Sequence, residues 1–290
     1  MIQRKRNAII MAAGTSSRFV PLSEEYPKGL LEVKGEILIE RQICQLREAG
    51  INDITVVVGY KANAFEYLRD KFGVDIVYNE DYNRYNNTSS MIRVIDRLAD
   101  TFVCSSDNYF TENVFFDDTE YSYYSALYAS GFTEEYCLET DDDDNIKAVR
   151  VGSADSWYMV GHVFFSADFS GKFAELLRRE YEKEATCKDY WEDVYIRFID
   201  ILPKMKIRRY NESVIKEFDT LDELRCFDKS YIDDTRSMII KNITRELDCK
   251  ESELTDFRKE SHYGAHLQFT FLKNGLPYRY NGFDKSISAL

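Results

Sequence analysis

The chain has 290 residues, of which 44% are hydrophobic and 31% charged, and a net charge of −13. That length allows a substantial core, in one large domain or one plus a small one. The acidic balance excludes nonspecific nucleic-acid binding, which relies on a basic surface, and no apolar run approaches the roughly 20 residues of a membrane span.

The N-terminal MIQRKRNAIIMAAG has a basic start and a short apolar stretch. It runs straight into a glycine turn, so it reads as a first strand and not as a leader. Residues 8–12 suit a buried parallel strand. The run breaks at Gly14 into Thr15, Ser16 and Ser17, and Arg18, Pro27 and Lys28 follow. Small residues after a strand let backbone N–H groups approach an anion closely. Arg18 offers a planar fork of donors and Lys28 a point charge, so the stretch describes a pocket for a polyphosphate. It is not a Walker loop, which needs Gly-Lys-Ser/Thr, nor a Gly-x-Gly-x-x-Gly fingerprint.

Residues 37–49 carry Ile39, Ile43 and Leu46 at amphipathic spacing, and Gly50 ends that helix. Strands are predicted at 54–60, 73–79 and 101–108, and helices around 62–72 and 91–99. Strands alternating with helices imply right-handed crossovers and a mostly parallel sheet. Ligands of such sheets bind beyond the carboxyl ends of the strands. The glycine turn, Gly59–Tyr60 and Ser106–Asp107 all fall at such ends. From about residue 121 the pattern becomes aromatic and β-rich, interrupted by an acidic turn at 141–144. A charged helix at 172–184 leads to DYWEDVYIRFI (189–199). IKEFD (215–219) reads as a strand, with a helix after it.

The six cysteines (44, 104, 137, 187, 226 and 249) are spread along the chain without a Cys-x-x-Cys pair. This favours reduced thiols in a cytoplasmic protein over disulfides or zinc. His162, His262 and His266 form no ligand cluster with them.

Asp107 and Asp219 are placed at strand ends. Mg²⁺ prefers one or two carboxylates completed by substrate phosphates and waters, so the pair are candidate metal ligands. Each could instead cap a following helix. The two tryptophans lie in SWY (156–158) and DYWED (189–193). Aromatic faces attract cations, quaternary ammonium above all, and nearby carboxylates add to the attraction. DYWED taken alone is equally a core helix with aromatic anchors and a solvated acidic face.

MAAGTSSR and PKGLLEV carry the strand, glycine turn, arginine and Pro-Lys signature of sugar-phosphate-type nucleotidyltransferases. Continued through AGINDITVVVGY, FEYLRDKFGV, DYNRYNNTSS, SSDNY, GHVFF, DYWED and EFDTLDEL, the succession resembles the bacterial CTP:phosphocholine cytidylyltransferases of the LicC type over residues 7 to about 230. The resemblance implies a nucleotidyltransferase α/β fold, a mostly parallel mixed sheet flanked by helices. It implies a nucleotide site at Ala12, Ala13, Gly14, Thr15, Ser16, Ser17, Arg18, Lys28, Gly59, Tyr60 and Ser106. Tyr85, Asn86, Asn87 and Ser89 would lie near the cytosine and ribose. Asp189, Tyr190, Trp191 and Asp193 would surround the choline head, with Tyr136 and Trp157 as further walls. Members of the family have a tryptophan near the place of Tyr136, and tyrosine binds a cation less well.

The same resemblance implies Mg²⁺ on Asp107 and Asp219, with Lys28, Arg18 and Asp107 as the catalytic set. A phosphate oxygen of phosphocholine would attack the α-phosphorus of CTP in line, expelling pyrophosphate, with no general base required. Aminoethylphosphonate, phosphoglutamine or a sugar 1-phosphate are alternative acceptors, and a noncatalytic nucleotide-binding scaffold is the reading from another class. Residues 231–290 resemble the opening of a choline-kinase or aminoglycoside-phosphotransferase lobe, a small α+β segment. HYGAHLQF (262–269) replaces the glycine-rich loop expected there, so no kinase activity is expected. A docking or dimerisation role, and hence a homodimer, is compatible with the segment.

Overall fold

The apolar run Asn7–Ala12 forms strand β1 of the computed structural model, with Ala8, Ile9 and Ile10 fully buried. Residues 5–260 and 267–290 are described; His262, His266 and most of the HYGAHLQF stretch lie outside them. Contacts divide the chain into two units, one of Met1–Gly14 and Ile39–Lys216, the other of Thr15–Leu38 and Glu217–Leu290. This division differs from a single boundary near residue 230. Residues 15–38 belong with the C-terminal part because hydrogen bonds tie them there. The Tyr231 hydroxyl donates to the Glu32 carbonyl at 2.7 Å, and the Lys34 N–H donates to Asp228 at 2.7 Å.

In the first unit β1 lies between β2 (Asp53–Val58) and β4 (Thr101–Ser105), parallel to both, with β3 (Asp75–Tyr78) beyond β2. Ile9 stands level with Thr55 and Val103. The β-branched run Ile54, Thr55, Val56, Val57, Val58 is buried throughout, as a strand covered on both faces must be. Helices α1 (Leu38–Glu48), α2 (Tyr67–Phe72) and α3 (Thr88–Arg93) connect these strands. β5 (Tyr109–Phe110) follows β4 outside the main sheet. Two long strands, β6 (Tyr123–Thr140) and β7 (Ile146–Phe165), then pair antiparallel around the acidic turn. β7 joins β4 antiparallel, and β8 (Lys206–Arg209) pairs parallel with β6, giving the order β8-β6-β7-β4-β1-β2-β3. The sheet is therefore mixed, with its parallel half built from the N-terminal alternation.

Three elements depart from expectation. The helix expected at 91–99 begins at Thr88. The helix expected at 172 begins at Ala167, because the Ser166 hydroxyl accepts from the Phe169 N–H and opens α4 (Ala167–Glu180). IKEFD is a strand only at β9 (Ile215–Lys216), paired antiparallel with β5, so Asp219 does not end a strand. Helices α5 (Glu184–Lys188) and α6 (Trp191–Arg197) complete this unit. Its core gathers Phe165, Phe169, Phe173, Trp191, Val194 and Tyr195. His162 is fully buried, its Nδ1 2.7 Å from the Ser125 hydroxyl, and burial holds its pKa down to about 3, so the ring stays neutral.

The second unit contains α7 (Leu221–Phe227), α8 (Met238–Leu247) and an antiparallel four-stranded sheet of β10 (Leu254–Lys259), β11 (Gln268–Lys273), β12 (Leu276–Asn281) and β13 (Ser286–Ala289). Phe257, Phe269, Phe271 and Tyr280 are the aromatic filling of this sheet.

Candidate active site

The carboxyl ends of β1, β2 and β4 are drawn together by backbone bonds. The Tyr60 N–H donates to the Ala13 carbonyl at 3.1 Å, and the Ser106 N–H donates to the Met11 carbonyl at 3.1 Å. Ala12 and Ala13 are buried and Gly14 is exposed. Gly59 is required here for space: a Cβ on it would stand 2.5 Å from the Tyr82 Cβ and 3.0 Å from the Ala13 carbonyl oxygen. Gly59→Ala must move one of these walls. It should cost about 1–3 kcal/mol of stability, read as a fall in Tm. Asp107 follows β4, partly buried, and no helix follows it, which removes the cap reading.

In the second unit Thr15, Ser17 and Arg18 are exposed, and Ser16 takes the left-handed backbone conformation at φ 50°. Lys28 opens a single 3-10 turn and its side chain is only 6% exposed. Its Nζ lies 3.5 Å from one Asp219 carboxylate oxygen, and the Arg18 Nη1 lies 2.8 Å from the other. The N-cap of α7 is Thr220, whose hydroxyl accepts from the Glu223 N–H at 3.2 Å. Glu223 in turn accepts from the Asp219 N–H at 2.7 Å. Thr220 does the capping, which leaves the Asp219 carboxylate for the two bases. The structure thus brings Arg18, Lys28 and Asp219 together within one unit.

A second group lies wholly in the first unit, where the turn at residues 86–89 is stitched to residues 187–192. The Asn86 N–H donates to the Cys187 carbonyl at 3.2 Å, and the Thr88 hydroxyl to the Asp189 carbonyl at 2.6 Å. The Asn87 Oδ1 accepts from the Trp191 N–H at 2.8 Å. Ser89 is fully buried and donates to the Asn86 carbonyl at 2.7 Å, so it shapes the turn. Tyr85 lies under the Arg84 guanidinium, 4.7 Å from its ring centre. The Tyr136 hydroxyl donates to Asp193 at 2.7 Å, and the other Asp193 oxygen accepts from the Tyr190 N–H at 2.9 Å. Burial first, then the Asp193 carboxylate, push the Tyr136 phenol well above its usual range. The Asp189 carboxylate pairs with Arg197.

Two expected walls are differently placed. Trp191 is 3% exposed, its ring stacked on Tyr124 at 5.8 Å and met edge-on by Phe165 and Phe173. Residues 191, 194 and 195 form the buried stripe of α6, so this ring anchors the core. Trp157 packs edge-on against Tyr128, with the Arg209 guanidinium 5.6 Å from its ring centre.

Among the described residues no group of three His, Cys, Asp or Glu could hold a metal ion. Single carboxylates, Asp107 in the first unit and Asp219 in the second, are donors of the chemical kind that Mg²⁺ takes alongside substrate oxygens and water. Among the described residues no helix is long and apolar enough to cross a membrane.

The MobA-like NTP transferase domain matches residues 8–115. Choline-phosphate cytidylyltransferase from Streptococcus pneumoniae is 34% identical over 221 residues, 75% of this chain and 95% of that protein. The chain belongs to the LicC-type cytidylyltransferases. The solved structure of CTP:phosphocholine cytidylyltransferase from Streptococcus pneumoniae (LicC) overlays with a TM-score of 0.75 at 33% identity, covering 78% of this chain and 99% of that one. The 2-aminoethylphosphonate cytidylyltransferase of Lancefieldella rimae is 35% identical over 232 residues, 79% of this chain and 94% of that protein. The chain is thus a nucleotidyltransferase, and its sheet is the family's fold.

Glu192 of this cytidylyltransferase escaped the sequence reading, although it sits between Trp191 and Asp193. Its two oxygens accept from the Asn87 Nδ2 and the Tyr124 hydroxyl, each at 3.1 Å. Burial raises its pKa to about 7, against which the Asn87 and Tyr124 bonds act only in part. A carboxyl raised in the folded state is less favourably ionised there than in the unfolded chain. Stability therefore falls as pH rises from about 4.5 to about 7. Glu192→Gln should remove that decline, worth about 1–3 kcal/mol above pH 7. Thermal melts between pH 5 and 8 test this, and parallel slopes for both proteins would refute it.

Proposed function

We propose that the chain transfers CMP from CTP to phosphocholine, releasing pyrophosphate. The observation that carries the acceptor is the Tyr136–Asp193–Tyr190 group: two phenol rings, 6.5 Å apart and edge-on, beside a carboxylate. A ring face and an anion together suit a quaternary ammonium, which has no N–H to donate. Support comes from the likeness to choline-phosphate cytidylyltransferases of Streptococcus pneumoniae and Haemophilus influenzae, 34% and 30% identical.

The phosphate dianion is already a nucleophile near neutral pH, so the protein's work is positioning and charge neutralisation. Lys28 neutralises the α-phosphate and the incoming phosphate. Arg18 and the backbone N–H groups of residues 14–17 receive the pyrophosphate. Asp107 and Asp219 would hold Mg²⁺, which would supply neutralisation of phosphate charge. The six cysteines, none of them in a disulfide among the described residues, suit a cytoplasmic setting. Residues 231–290 act as an accessory segment without kinase activity, so choline and ATP should yield no phosphocholine.

A second acceptor, 2-aminoethylphosphonate, is favoured by one observation: both tryptophan rings are engaged, Trp191 in the core and Trp157 under Arg209. A primary ammonium wants acceptor oxygens, and the Asp193 carboxylate offers them. Pyrophosphate release with CTP and each acceptor separates the two. The expected result is a kcat/KM at least tenfold higher for phosphocholine. The reverse ratio assigns the second acceptor, and no release with either sinks the enzymatic reading.

A further inference from the structure

Glu192 accepts from two different elements, Asn87 ahead of α3 and Tyr124 on β6. Asn87 answers in kind: its Oδ1 takes the Trp191 N–H while its Nδ2 reaches Glu192. The side-chain amide is thereby fixed in orientation at both ends, and each end keeps further hydrogen-bonding capacity. Among the described residues no lysine, arginine or histidine forms an ion pair with Glu192. The charge that acts on it is that of Asp193, itself held by Tyr136 and the Tyr190 N–H, and Arg197 is paired with Asp189. A carboxylate kept there without a counter-ion is costly, and an amide could accept from Asn87 at less cost. Helix packing does not require it, because the apolar stripe of α6 is Trp191, Val194 and Tyr195.

We infer that Glu192 is a positioning residue for nucleotide binding: through Asn87 it holds the 86–89 turn in one orientation against the start of α6. The inference rests on the reading above that this turn serves the nucleotide. Two bonds of the same seam, Asn86 N–H to Cys187 and Thr88 hydroxyl to Asp189, do not involve the Glu192 side chain. Removing the carboxylate should therefore loosen Asn87 without unfolding the seam.

The test is calorimetric titration of CTP with Mg²⁺ into the full chain, paired with steady-state kinetics. Glu192→Ala should weaken CTP binding about tenfold and raise its KM by the same factor, with kcat changed less than threefold. Asn87→Ala should do the same, and the double variant should be no worse than either single one, because both break one link. Glu192→Gln keeps an acceptor for Asn87 and should restore CTP binding to within threefold of the parent. A structural role alone would lower Tm without this KM-only pattern or the rescue. If the parent binds CTP and Glu192→Ala binds it equally well, the positioning role is overturned while the function stands. If the parent itself does not bind CTP, the functional reading falls and takes this inference with it.

Discussion

Lys28→Ala is expected to lower kcat/KM for cytidylyl transfer by 10²–10³, about 3–4 kcal/mol of transition-state stabilisation, the loss typical when a preorganised charge partner is removed. The Lys28 side chain is 6% exposed and its ammonium lies 3.5 Å from Asp219. It is also 6.0 Å from the Phe19 ring centre, in surroundings that screen a charge less than water does. Arg18, at 71% exposure, is better screened and should contribute less. Truncation does not strand an isolated anion, since Asp219 keeps its 2.8 Å contact with Arg18 and is itself 28% exposed. Folding should survive. Lys28→Met keeps most of the buried stem and removes only the charge, so it should lose the same activity with little change in Tm. Pyrophosphate release across a range of CTP concentrations measures both variants. A turnover within threefold of the parent would remove Lys28 from the mechanism.

The second large effect falls on stability. Trp191→Ala should cost about 3–5 kcal/mol, the range for emptying a buried aromatic site, and lower Tm by roughly 10 °C. The ring touches Tyr124, Phe165 and Phe173, and truncation leaves a cavity between α6 and the sheet. Trp191→Phe keeps most of the contact and should recover more than half of the loss. Both are read by thermal melts, alongside KM for phosphocholine under conditions where the variant stays folded. A wall of the acceptor site would give the opposite pattern, with KM raised and Tm nearly unchanged.

Much of the fold was legible because its signals are local. The apolar runs at 8–12 and 54–58 can only be strands covered on both faces. Gly14, Gly59 and Ser106 mark the ends of such strands, where backbone must come close to backbone. Long-range choices were less visible. Ile215 pairs with Phe110 across the chain, and nothing in IKEFD says that the pairing stops after Lys216. Thr220 and Asp219 are both good caps by composition, and only the geometry shows Thr220 taking that role. Of the two readings DYWED allows, the burial of Trp191 fits the core helix, and its spacing to Val194 and Tyr195 is the stripe of a buried helix face. The acidic neighbours drew attention to the surface, and the helix is too short for periodicity to dominate. Glu192 gave no periodic signal at all, since its partners lie 105 and 68 residues away in sequence.

Asp219 meets Arg18 and Lys28 in the same way that a phosphate oxygen would. The two bases therefore do not await a ligand as bare charges. On the function proposed above, a polyphosphate would trade places with an internal surrogate, and its gain would be the difference between two anions rather than the full attraction of either. The displaced carboxylate would then stand beside the newcomer's negative charge until a cation settled with it, and on that reading metal-free nucleotide would be an inherently poor ligand for this arrangement.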